Sequence, residues 1–171
     1  MMKKLIFFTL FFLFICKNIS YGGTIEDFTL SDLNNKRTSF SDLKGENLTV
    51  LDFWATWCKP CARAIPKLIT LYDQYKDRGV QFIGINVDSP RNLPKVKPYA
   101  STRGITYPIL LDSNNELMSE FQITALPTVL VVDNKNEIVF VHRGYRPGNE
   151  KILQDEIDKM LLENSAEEDD K

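Results

Sequence analysis

From residue 24 onward, short apolar runs take turns with stretches of helical spacing. Residues 24–30 (Thr-Ile-Glu-Asp-Phe-Thr-Leu) alternate as a half-buried strand does, and residues 37–40 read as the hairpin mate across residues 32–36. Residues 41–45 predict a tight turn or a single helical turn. Residues 48–53 are apolar on both faces except at Asp52, the pattern of a strand inside a sheet covered on both sides. After Cys58 the spacing turns helical through Ile65, Leu68, Ile69, Leu71 and Tyr72, with a kink expected at Pro66 and an end at Arg78-Gly79. Residues 80–87 form a second buried run. Strand, helix and strand make a βαβ unit with parallel pairing and a right-handed crossover.

The second half is less regular. Pro90, Pro94 and Pro98 limit regular helix between residues 88 and 104, although Val96, Tyr99 and Ala100 share a face. Residues 128–133 and 137–143 predict two strands joined by the hairpin turn Asn134-Lys135-Asn136. Residues 150–162 predict a closing amphipathic helix with Ile152, Leu153, Ile157, Met160 and Leu161 inward. Residues 164–171, including the acidic run from Glu167 to Asp170, read as an unstructured tail. No internal repeat is present.

The first 22 residues do not share this patterning. Met1-Met2-Lys3-Lys4 is a basic start, and residues 5–15 are an almost unbroken apolar run of signal-peptide length. Ser20-Tyr21-Gly22 offers small residues for cleavage, and an uncleaved N-terminal anchor is the rival reading. Cys16 follows the apolar run, but Ile15 before it is not the small residue that a lipidation site wants. The expected organisation is a leader at 1–22, one domain at 23–163 and the tail at 164–171. Without Lys3, Lys4 and Lys17 the chain holds 18 basic and 23 acidic residues, a net charge near −5. That argues against nucleic acid or an anionic membrane surface as partner.

The candidate chemistry lies in Trp54-Ala55-Thr56-Trp57-Cys58-Lys59-Pro60-Cys61, at a predicted strand-to-helix junction. A thiolate is the reactive form of cysteine, and free N–H groups with the helix dipole stabilise it at a helix N-terminus. Cys58 occupies that place, and Cys61 lies one turn on, close enough to close a disulfide. Cys58 is read as the exposed, attacking sulfur and Cys61 as the resolving one. Half a zinc site would need a second ligand pair, and outside the leader the sequence offers only His142. A static staple across so short a loop would constrain little unfolded-state entropy. Pro60 suits the first helical turn, where its missing N–H is no loss. Lys59 either favours the thiolate by its charge or is a solvated surface group. No metal or cofactor is implied.

The Phe-Trp-Ala-Thr-Trp-Cys-x-Pro-Cys stretch resembles the active site of the TlpA-like/ResA-like thiol-disulfide oxidoreductases of the thioredoxin superfamily, over about residues 25–162. The resemblance implies an α/β thioredoxin-like fold, a central mixed sheet flanked by helices. An N-terminal β-hairpin, tied to the strand that follows it, would be added to that core. An inserted helix and short strand would separate the βαβ and ββα halves, the strand at residues 107–111, with a short helix at 116–121. Leu126-Pro127-Thr128 matches the loop that carries a cis-proline facing the cysteines, with the Leu126 backbone exposed to an extended substrate. Trp57 and Leu126 would give the docking surface an apolar character. Gly144 resembles the glycine that admits substrate on the far side, and a plain turn glycine reads equally well. The family commonly has Asn at the position of Asp52 and a Glu three residues past the second cysteine, where this chain has Ala64. A carboxylate buried at Asp52 should have a raised pKa suited to accepting the Cys61 proton, so Asp52 is assigned that role. A satisfied structural carboxylate is the alternative. His142 reads as an edge or surface residue.

The function expected from the resemblance is an exported, monomeric thiol-disulfide oxidoreductase. Its partners would be a cysteine-containing exported client, such as an apocytochrome c, and a membrane thiol-disulfide electron donor. A thiol peroxidase of peroxiredoxin type is a second reading, weakened because residues 53–61 lack the Pro-x-x-x-Thr-x-x-Cys pattern. A non-catalytic thiol-holding module is a third, weakened by the intact cysteine pair.

Overall fold

A computed structural model of the chain describes residues 23–169. The expected leader, Cys16 included, lies outside the described residues, as do residues 170 and 171. Seven strands form one mixed sheet: β1 (Thr29–Asp32), β2 (Arg37–Ser39), β3 (Leu48–Trp54), β4 (Val80–Asn86), β5 (Ile109–Leu111), β6 (Thr128–Asp133) and β7 (Ile138–Arg143). Their order is β2-β1-β5-β4-β3-β6-β7, with β3, β4 and β5 parallel and the other pairings antiparallel. The helices are α1 (Phe40–Leu43), α2 (Lys59–Tyr75), α3 (Leu93–Arg103), α4 (Glu116–Glu120) and α5 (Asn149–Asp169). Every residue of β3 is buried, as its unbroken apolar run requires.

The period of two along the strands separates two cores. Leu51, Phe53, Ile83, Ile85, Leu130 and Val132 pack with Val96 and Ala100 of α3 and Leu117 of α4. Val50, Phe82 and Val131 point the other way, onto Leu68, Leu71 and Tyr75 of α2 and Leu153, Ile157 and Met160 of α5. Each fully buried Leu, Ile or Phe contributes about 1.5–3 kcal/mol through removal from water, which makes these faces the main stabilising term. Asp52 follows Val50 by two residues and shares its face, beneath α2.

Several expectations need correction. The first strand begins at Thr29, and Thr24 makes only an isolated bridge to Glu137. Ile25 is buried in the core and Phe28 stacks on Phe40 at 5.3 Å. Their backbones make single bonds, Ile25 N–H to the Asn136 carbonyl and Phe40 N–H to the Phe28 carbonyl, but no continuous strand ladder. The hairpin is tied not to the strand that follows it but to β5, through Ser31 opposite Leu111. Both edges of β3 are already taken by β4 and β6. The proline-rich stretch does form a helix, α3. Pro94 sits in its first turn, where a missing N–H is no loss, and only Pro98 lies inside. Finally, α5 runs on to Asp169 through residues expected to be an unstructured tail. Residues 163–169 contain no Gly or Pro to stop it. Within α5, Ile152 is 44% exposed rather than inward.

Candidate active site

The apolar run of β3 ends at Trp54, and the chain turns into α2 within four residues. Trp54 is fully buried and stacks on Tyr99 at 5.6 Å. Cys58 is the N-cap of α2, with extended backbone, and its Sγ accepts from the Cys61 N–H at 3.1 Å. One of the free donors of the helix end is therefore aimed at the sulfur, as the sequence position predicts. Cys58 and Cys61 are joined as a disulfide, with Cα atoms 5.3 Å apart. Cys58 is 5% exposed and Cys61 1%. The expected ranking holds, but Cys58 is not an exposed sulfur: the disulfide lies flush with the surface, and Trp57 beside it, 63% exposed, projects instead.

The loop that delivers the pair is held by a residue the sequence reading missed. Asp88, just past the C-terminal end of β4, is fully buried. Its carboxylate accepts from the Thr56 N–H at 2.7 Å, the Thr56 hydroxyl at 2.8 Å and the Asn86 side-chain amide at 2.9 Å. Its position outside the carboxyl end of a parallel strand, where sites in such sheets concentrate, was the available signal.

Facing the disulfide, the Leu126–Pro127 peptide is cis. Thr128 is buried, and its hydroxyl donates to the Ala125 carbonyl at 2.8 Å. Among the described residues the backbone N–H and C=O of Leu126 have no partner. Gly144, with φ +80°, donates its N–H to the Pro127 carbonyl at 2.7 Å, and a Cβ there would meet nothing within 4 Å. Its backbone conformation is one that favours glycine, and the space beside it is open. Trp57, Cys58, Lys59 and Pro60 form one wall of an open groove of about 370 Å³; Met118 of α4 with Thr124, Ala125 and Leu126 forms the other. The groove is mainly apolar and ends on the reactive sulfur, a shape that suits an extended polypeptide.

Asp52 lies outside this groove, in the sheet. It is 1% exposed, its Oδ1 has no partner, and its Oδ2 accepts only a long bond from the Tyr107 hydroxyl. Burial pushes its carboxyl up to about 7, with the tyrosine bond opposing weakly. The same desolvation, reinforced by Asp52, holds the Tyr107 hydroxyl well above its usual value. Gly84 is the register partner of Asp52 on β4; a Cβ there would stand 3.0 Å from the Trp54 indole nitrogen and 3.3 Å from the Tyr107 ring. The glycine admits both rings against the strand. His142 is half-buried and stacks on Phe140 at 6.3 Å, away from any assigned role.

Comparison with known proteins agrees with this geometry. The AhpC/TSA family model matches residues 21–141. Thiol-disulfide oxidoreductase ResA of Geobacillus kaustophilus is 34% identical over 126 residues, 74% of this chain and 71% of that protein. ResA of Bacillus subtilis is 31% identical over 128 residues, 75% and 70% of the two chains. Among solved structures, StoA from Bacillus subtilis superposes with a TM-score of 0.64 at 27% identity, over 78% of this chain and 98% of that one. A thioredoxin-like protein from Porphyromonas gingivalis gives 0.69 at 29% identity, over 86% and 95%.

Proposed function

The chain belongs to the AhpC/TSA family and is a thiol-disulfide oxidoreductase of ResA type, and from that premise we propose that it reduces disulfides of exported proteins, apocytochromes c among them. The observation that carries the reading is the Cys58–Cys61 pair at the N-terminus of α2, at the end of an apolar groove whose Leu126 backbone is unpaired. Location outside the cytosol is part of the proposal and rests on the apolar leader pattern of residues 1–22.

The exchange runs in two steps. The Cys58 thiolate attacks one sulfur of the client disulfide, forms a mixed disulfide and expels the other client sulfur as thiolate. Asp52 takes the proton of Cys61, whose thiolate attacks Cys58 Sγ and expels the second client sulfur. Two electrons pass to the client, and Cys58–Cys61 is left oxidised, the state seen here. A membrane thiol-disulfide donor then returns the monomer to its dithiol. Leu126 offers its backbone to the client strand. Trp57 and Pro60 shape the contact, and Gly144 keeps the far side open. Thr128, buried and outside the groove, serves the loop from behind through its bond to the Ala125 carbonyl rather than touching the client as expected.

The test is to mix reduced protein with an oxidised Cys-x-x-Cys-His peptide, the haem-attachment pattern, and to measure the potential of the cysteine pair. A potential near about −270 mV with rapid thiol release is expected. A potential near about −120 mV, or an unreduced peptide, overturns the reductive reading.

A further inference from the structure

Three of the segments around the cysteine pair carry charge of one sign. Residues 53–72, 121–132 and 138–149 contain Lys59, Arg63, Lys67, Arg143 and Arg146 and not one Asp or Glu, although acids outnumber bases 23 to 21 in the whole chain. Lys59, Arg63 and Lys67 follow one another at intervals of four along α2, so they form one stripe, and all three are exposed. The stripe starts at Lys59 in the groove wall itself. Arg143 pairs with Thr128 next to Pro127. Two residues on, Tyr145 lies within reach of the Arg63 charge, which places the loop carrying Arg146 against α2.

These cations are not neutralised. Among the described residues only Lys67 of the five forms an ion pair, with Glu150 at 3.8 Å. The side chains of Lys59, Arg63, Arg143 and Arg146 are exposed and have no ion pair or hydrogen bond among the described residues. On the other wall, Met118 of α4 lines the groove, and its helix neighbours Glu116 and Glu120 do not. One exposed Lys or Arg is ordinarily a solvated group of little energetic weight. The four unpaired cations, Lys59, Arg63, Arg143 and Arg146, act together where their fields overlap within a screening length of about 8–10 Å at physiological salt. Such a potential draws in a partner of opposite charge before contact.

We propose that this basic rim selects clients: the chain acts preferentially on polypeptide disulfides flanked by Asp and Glu. The inference rests on the disulfide-exchange reading and adds the class of client. Selection operates on encounter and docking, and leaves the sulfur chemistry unchanged.

Three peptides with the same disulfide and with neutral, Glu-rich or Lys-rich flanks test it. Each is mixed with the reduced protein, and the second-order rate is divided by that of the same peptide with dithiothreitol, which removes the peptide's own electrostatic bias. The Glu-flanked peptide is expected to react about tenfold faster than the Lys-flanked one at low salt. The gap should close near 1 M salt, where the screening length falls to about 3 Å. The Arg63→Glu/Arg146→Glu variant should reverse the order while leaving the neutral peptide's rate as it was. Equal rates for the two charged peptides, or a preference unchanged in the variant, overturn the proposal. A protein that reduces none of the three overturns the disulfide-exchange reading beneath it.

Discussion

The Tyr107 hydroxyl donates to Asp52 Oδ2 across 3.5 Å, a long bond between two buried side chains that lie 55 positions apart in the chain. It is the single polar contact of a carboxylate whose other oxygen has none. A buried charged group with so little support favours its protonated form, and this raises the carboxyl to about 7. Tyr107→Phe removes the one contact that favours the ionised state. The expected result is an upward displacement of the pH midpoint of the exchange rate, with a stability loss of about 0.5–1.5 kcal/mol. An unmoved midpoint would reduce Tyr107 to a packing residue.

Asp52→Asn should separate stability from activity. Between the ordinary value of 3.8 and about 7, the native state keeps a proton that the unfolded chain has released. Stability therefore falls as pH rises through that window and levels off above it. The amide cannot ionise, so the variant should gain stability over wild type at pH 8, by about 1–4 kcal/mol, and show little gain at pH 4. Exchange at neutral pH should slow at the same time, because Cys61 loses its proton acceptor. Urea unfolding at the two pH values and stopped-flow exchange together check both halves. A stability difference that does not vary with pH contradicts the assignment.

The two cysteines should fail in different ways. Cys58→Ser removes the attacking sulfur, and no client adduct should form. Cys61→Ser leaves attack intact and removes resolution, so a mixed disulfide on Cys58 should accumulate and be visible by non-reducing electrophoresis or intact mass. The asymmetry follows from position: Cys58, the N-cap of α2, lines the groove, and Cys61, one turn inside the helix, does not. Adducts trapped on Cys61 in the Cys58→Ser protein would reverse the two roles.

What could be read ahead of the structure was what the chain encodes locally. The Trp-Cys-Lys-Pro-Cys junction, the buried run of β3 and the β6–β7 hairpin each sit within one continuous segment. Asp52 was legible too, because a carboxylate in an apolar run is conspicuous. Asp88 and Tyr107 were not, since each acquires its role from a partner at least 32 positions away. The first strand was placed too early because alternation at residues 24–30 describes burial of Ile25 and Phe28 without saying which strand is free to pair. The end of α5 was placed too early because a run of acids lowers helix stability at a C-terminus without forbidding helix.

Asp88 offers the sharpest check on how the site is held. Its carboxylate takes two bonds from Thr56, two residues before Cys58, and one from Asn86 at the end of β4. Asp88→Ala would leave the Thr56 N–H and the Asn86 amide without partners, and each orphaned buried group costs about 1–3 kcal/mol. A loss of about 2–4 kcal/mol is therefore expected. Asp88→Asn keeps the volume. With its amide oxygen at the Oδ2 position it still accepts from the Thr56 N–H and the Asn86 amide, and its NH2 donates to the Thr56 hydroxyl, so it should recover most of the loss. The loop positions Cys58 against the N-terminus of α2, so Asp88→Ala should change the reactivity of the Cys58 thiolate as well as stability, and Asp88→Asn should restore both together. The readout is the pH dependence of Cys58 alkylation in the reduced protein. A titration curve identical to wild type, together with lowered stability, would make Asp88 a purely structural clamp.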